Sequence, residues 1–250
     1  MTERLISERT EMKRFFKFIV KLLSTVLVIG IVAVAIVGGY FGVAGYREYK
    51  AALEECPLET KIAELTAGEN FAKMSELPQI YIDAVIAVED HNYYEHGAIS
   101  IVSTARAVLT NIKDRDYTEG GSTITQQVAK NLYFTQEKKL TRKVAEMFMA
   151  IELEKHYSKD EIFEFYVNNI YYGSGYYNIY DASMGYYGIE PSQLSDFQAT
   201  QLAGVPNAPS VYSPDNNTPL TQQRQQQVLD SMVKYNYIDK SVADKIISDK

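Results

Sequence analysis

The stretch Gly120-Gly121-Ser122-Thr123-Ile124-Thr125-Gln126-Gln127-Val128-Ala129-Lys130-Asn131 decides how the chain is read. The glycine pair lets the backbone turn tightly and come close to a ligand. Ser122 or Thr123 can cap a helix that carries Gln126, Gln127 and Lys130. Gln126 and Lys130 are four residues apart and share a helix face, with Gln127 close by. Free N–H groups, hydroxyls, amides and one cation at a helix start suit a polar, anionic ligand. Taken without its flanks, the same stretch also reads as a capped surface helix.

Outward from it, helical periodicity dominates over 79–93, 100–114, 122–132, 140–157, 159–169, 192–204 and 220–236, and alternating strand patterns are nearly absent. The predicted class is mainly α. The Tyr/Gly-rich 171–188 and the stretch Pro206–Pro219 read as irregular. Eight tyrosines fall from Tyr166 to Tyr187, and they fit packing under this segment better than stacking on sugars. Leu22–Tyr46 is 25 residues without a charge. As a helix it would span about 37 Å, more than a hydrocarbon core of about 30 Å. A signal peptide has an apolar core of only about 7–15 residues, so a permanent anchor is expected.

Residues 1–21 carry a charge of +3 and the remainder −10. The basic end orients the N-terminus toward the cytoplasm. The acidic remainder argues against nucleic acid as a partner. Four segments follow: a basic tail 1–21, a transmembrane helix 22–46, a charged connector 47–77, and an extracytoplasmic domain 78–250. A single cysteine, Cys56, excludes an internal disulfide, and without a Cys/His cluster there is no basis for zinc.

Two carboxylates stand out. Ile82, Ile86, Glu89 and Tyr93 recur at spacings of four, three and four, so Glu89 ends an apolar stripe. That setting suits a carboxylate to taking up a proton near neutral pH, although a helix-end Glu reaching solvent is the plainer reading. Glu146 shares one helical face with Arg142 and Lys143. A surface ion pair there is worth about 0.3–0.5 kcal/mol. The same face continues through Met149 and Leu153, while Val144, Met147, Phe148 and Ile151 make the opposite side apolar. A helix apolar on both sides is mostly buried, so its charges are expected to line a cleft.

Together these segments resemble the peptidoglycan glycosyltransferases, over about Ser75 to Met232. Gly120–Asn131 is similar, residue for residue, to their signature. Glu89-Asp90-His91-Asn92-Tyr93-Tyr94-Glu95-His96 resembles their Glu-Asp-x-x-Phe-x-x-His motif, and Arg142-Lys143-Val144-Ala145-Glu146 their Arg-Lys-x-x-Glu motif. Lys159–Asn168 resembles a third segment, best taken as a structural helix. Arg224 with Val228, Leu229 and Met232 resembles the last motif. The chain departs from the family at Ala98, Ser100, Gln198 and Gln225, where glycine, aspartate, glutamate and arginine are usual.

The resemblance implies a lysozyme-like fold and polymerisation of lipid II into β-1,4 glycan strands, with inversion and loss of undecaprenyl pyrophosphate. It makes Glu89 the catalytic base. Asp90, His96, Ser122, Thr123, Gln126, Gln127, Lys130, Asn131, Arg142 and Lys143 become substrate contacts. Glu146 has three open roles: orienting Arg142 and Lys143, holding a metal, or donating a proton; orienting with metal help is preferred. No tightly bound cofactor is implied; a divalent cation, Mg or Mn, at the pyrophosphate is the one candidate. Residues 97–119 would form a flap near the bilayer. Expected partners are lipid II, the growing strand, membrane lipid and other cell-wall synthesis proteins. Two rivals are a lytic transglycosylase or hydrolase, and a catalytically silent membrane-anchored scaffold. Ser231-x-x-Lys234 lacks the companions of a transpeptidase, so a monofunctional enzyme is expected.

Overall fold

The uncharged run does not end as a helix at Tyr46: one helix, α1, continues from Thr2 to Glu55. The structure, a computed structural model, describes residues 2–100, 121–135, 137, 139–216 and 218–249. At about 1.5 Å per residue α1 is roughly 80 Å long, more than twice a hydrocarbon core. It is the one helix among the described residues long and apolar enough to cross a membrane, and its side chains from Leu22 to Val43 are largely exposed.

Ten further helices follow among the described residues: α2 (Leu58–Thr66), α3 (Gln79–Glu89), α4 (Ile124–Tyr133), α5 (Leu140–His156), α6 (Lys159–Val167), α7 (Ile179–Tyr187), α8 (Asp196–Gly204), α9 (Pro209–Tyr212), α10 (Pro219–Lys234) and α11 (Lys240–Ser248). The only β pairing among these residues is an isolated bridge between Gly173 and Tyr176. The mainly α expectation holds.

Two packing layers place the site. In one, α3 lies against α8 and α10; in the other, α4 lies against α5 and α6. α3 is apolar nearly all round, with Tyr81, Ile82, Ala84, Val85, Ile86 and Ala87 all buried. A helix of that kind has no solvent face and runs through the core. Leu58, Ile62 and Ala72 join the same core, so packing begins upstream of Pro78. Asn168 secures that approach, accepting from the Ala72 N–H at 2.8 Å and donating to the Ala72 carbonyl at 2.7 Å.

The last turns of α1 rest on α5. A Cβ on Gly45 would lie 2.6 Å from the Val144 side chain and 2.9 Å from the Thr141 carbonyl, so the helices meet this closely only because the residue is glycine. Tyr46 meets Phe148 edge-to-face and Tyr49 stacks on it, at centroid distances of 5.3 and 5.9 Å, and the Tyr49 hydroxyl donates to Glu152 at 3.1 Å. The apolar far side of α5 is therefore covered in part by α1.

Three expectations need correction. The helix expected over 79–93 stops at Glu89, because Asp90 takes a non-helical backbone and spends its side chain elsewhere. The stretch 171–188 is not wholly irregular. Asn178 caps α7, Gly188 ends it at φ 71°, and Gly185 leaves room for the Tyr176 ring rather than breaking the helix. α11 has no counterpart in the periodicity reading. The expected helix 100–114 and most of the flap 97–119 lie outside the described residues.

Candidate active site

Where α3 emerges from the core, its last residue is Glu89, with 13% of the side chain exposed. The apolar stripe does not leave this carboxylate in apolar surroundings. Gln127 Nε2 donates to Oε2 at 2.8 Å, and Arg224 Nη2 stands 3.8 Å from Oε1. The next residue, Asp90, is turned to a different task. Its Oδ1 lies 2.6 Å from His96 Nε2, and its Oδ2 accepts the Ile124 N–H at 3.1 Å. His96 Nδ1 is 2.6 Å from the Gly97 carbonyl. Asp90 and His96 thus brace the junction between α3 and α4 with polar atoms already engaged.

The start of α4 is built by Thr123. Its hydroxyl oxygen accepts the Gln126 N–H at 3.1 Å and donates to the Ala98 carbonyl at 2.7 Å, while Gln126 Oε1 accepts the Thr123 N–H at 3.0 Å. This reciprocal capping box satisfies two otherwise orphaned donors and turns Thr123 and Gln126 inward, where both are buried. Gln127, one residue on, is therefore the amide that reaches Glu89. Asn131 is anchored to the Asn169 carbonyl at 3.3 Å.

α5 supplies the opposite wall. Glu146 is only 1% exposed, and each of its oxygens faces a cation: Arg142 Nη1 at 2.7 Å from Oε1 and Lys143 Nζ at 3.0 Å from Oε2. Lys143 also donates to Ser122 at 2.7 Å, tying α5 to the loop before α4. Arg142 Nη1 donates to the Thr135 carbonyl at 3.0 Å, and its buried Nε has no hydrogen-bond partner among the described residues. Half-buried Lys130 completes the group. Burial holds its ammonium below the ordinary lysine value; Glu146 opposes that shift, Lys143 and Arg142 add to it, and Glu89 opposes it more weakly. Three cations around one buried carboxylate make a positive lobe, and Lys130 links it electrostatically to Glu89.

Glu146 Oε1, although 2.7 Å from Arg142, makes no hydrogen bond among the described residues, so it is the carboxylate oxygen that would hold a divalent cation shared with a bound pyrophosphate. No group of three His, Cys, Asp or Glu that could hold a metal unaided occurs among the described residues.

Arg224, on α10, is the site residue whose place the sequence did not reveal. Its Nε donates to the Gly204 carbonyl at 3.1 Å, and its guanidinium lies 5.8 Å from the Tyr212 ring centroid. The last-motif pattern flagged it, but nothing local pairs it with Glu89. Gln225 beside it, where the family usually has a second arginine, binds the Phe197 carbonyl and Thr200 instead.

Comparison with known proteins identifies the family. A family model described as Transglycosylase matches residues 59–233. A monofunctional glycosyltransferase of Staphylococcus epidermidis is 37% identical over 209 residues, covering 81% of this chain and 75% of that protein. Penicillin-binding protein 2D of Bacillus subtilis is 39% identical over 192 residues, 76% of this chain and 28% of that protein. Penicillin-binding protein 1A/1B of the same organism is 37% identical over 239 residues, 90% of this chain and 26% of that protein. The chain therefore spans about a quarter of the length of these penicillin-binding proteins. With the model match and the Staphylococcus relative together, the chain belongs to the transglycosylase family, the peptidoglycan glycosyltransferases, whose fold is lysozyme-like.

Proposed function

We propose that the chain polymerises lipid II, joining the 4-hydroxyl of one sugar to the anomeric carbon of a growing strand that leaves undecaprenyl pyrophosphate. The carrying observation is the unequal state of the two carboxylates. Glu146 is closed off by two cations, whereas Glu89 meets one amide and a guanidinium at 3.8 Å. Glu89 is then the group free to take the hydroxyl proton. The C1–oxygen bond to the leaving group breaks with its electron pair going to the pyrophosphate, and attack from the other side inverts the centre. Lys130, Arg142 and Lys143 stabilise the charge that develops there. Glu146 orients Arg142 and Lys143, and no step calls on a metal.

Asp90, His96, Thr123 and Gln126 support the site through its frame, and Gln127 sets the Glu89 carboxylate. Ser122 and Asn131 lie at the two ends of α4, beside the phosphate lobe and the Asn169 loop. The anchor would place the domain outside the cytoplasmic membrane, since the basic tail favours the inside. Membrane lipid and other cell-wall synthesis proteins are the further partners this placement suggests.

The test is incubation of the detergent-solubilised protein with labelled lipid II. Glycan polymer is the expected product. Absence of polymer, or release of glycan from isolated peptidoglycan without lipid II, overturns the reading; the second result favours a lytic enzyme.

A further inference from the structure

We propose that Arg224 is the positioning residue of the base, and that Gly204 gives it the room to act. The inference rests on Glu89 being that base. Arg224 is 8% exposed, approaches Glu89 to 3.8 Å, and is fixed from behind by the Gly204 carbonyl at 3.1 Å. A Cβ on Gly204 would stand 3.1 Å from Arg224 Cγ and 3.2 Å from Val228 Cγ2, so the arginine stem uses space that a side chain would take. Gln227 holds a second nitrogen, Nη1, at 3.3 Å, and Tyr212 lies against the guanidinium. α8 and α10 thus present one immobilised cation to the end of α3.

A guanidinium stays charged at any pH of interest. A fixed cation close to a carboxylate attracts its ionised form more strongly than its neutral one. Arg224 therefore keeps Glu89 ready to accept. Once the hydroxyl proton moves to Glu89, the ion pair is lost, and restoring it favours release of that proton before the next turnover. Among the described residues, the other groups facing Glu89 are Gln127 and Lys130 from α4, Tyr81 on α3, Tyr166 from α6, and Tyr172. Burial lifts all three phenols well above their ordinary range, so they stay neutral beside the carboxylate. Lys130 belongs chiefly to the phosphate lobe, which leaves Arg224, among the described residues, as the cation held against the base.

The test is the pH profile of kcat/KM for polymerisation in Arg224→Gln, Arg224→Lys, Gly204→Ala and Glu89→Gln, each with a thermal melt. Arg224→Gln should move the acid limb up, losing several-fold or more on the acid side and far less on the plateau. Arg224→Lys, which keeps the charge, should hold the limb near its wild-type place. A uniform loss at every pH, with the limb unmoved in Arg224→Gln, would show a purely structural role and overturn the inference. If Arg224→Gln does not fold, the limb is read in Gly204→Ala, where the displaced stem should shift it in the same direction by less; an unmoved limb there also overturns it. Glu89→Gln separates the two readings: retained turnover removes Glu89 as base, whereas an inactive Glu89→Gln beside an unmoved Arg224→Gln limb removes only the role of Arg224.

Discussion

At the scale of single residues, what surrounds a carboxylate decides its chemistry. Glu89→Gln preserves volume and the Gln127 contact region but removes the proton acceptor, so polymerisation should fall by about 10²–10⁴-fold with little change in melting temperature. A variant with near wild-type turnover in a lipid II assay would show that another group takes the proton. Lys130 sets the other end of the pH range. Its ammonium is held below the ordinary lysine value by burial, so as pH rises it loses its charge earlier than a free lysine. The alkaline limb of the pH–rate profile should therefore lie below about 10.4, the ordinary lysine value. Lys130→Arg should push that limb upward by keeping the charge. Glu146→Gln should pull it further down, because it removes the carboxylate that supports the ammonium. A limb that ignores both substitutions would exclude Lys130 as its source.

At the scale of elements, much of the site was legible because α4 and α5 carry their chemistry at helical spacing. Arg142, Lys143 and Glu146 had to share a face, and they do. The distinction between Gln126 and Gln127 was not legible. A helical wheel puts both near Lys130, and only the cap, which claims Gln126 for Thr123, shows that Gln127 turns to Glu89. The end of α3 escaped for a similar reason: the periodicity runs on to Tyr93, but Asp90 leaves the helix to bind His96 and Ile124. Arg224 escaped because its partner lies on a helix distant in sequence. The cap itself is testable. Thr123→Ala should cost about 1 kcal/mol, a fall of about 2–4 °C in melting temperature for a domain of this size. Unchanged melting would mean that the Asp90 carboxylate on Ile124 suffices to hold α4.

At the scale of the molecule, the long apolar helix α1 and the cation lobe are mechanically joined. α1 seats on α5, and the closest approach, at Gly45, falls beside Thr141 and Val144, flanking the residues that carry Arg142 and Lys143. A lipid-linked substrate lies at the bilayer surface, so the distance from bilayer to cleft is set by how α1 docks. Gly45→Ala forces a Cβ to 2.6 Å from Val144 and 2.9 Å from a backbone carbonyl that has little freedom to move. Overpacking of this kind costs about 1–3 kcal/mol, and α1, joined to the core chiefly through Tyr49, should give way first. Polymerisation by Gly45→Ala should then fall several-fold in bilayer vesicles and much less in detergent micelles, where no fixed surface must be matched. Adding Val144→Ala relieves the side-chain part of the clash and should recover part of the vesicle activity, a coupling expected only of residues in contact. Equal losses in vesicles and micelles would instead mean that the junction serves stability alone and that the cleft finds its substrate without help from the anchor.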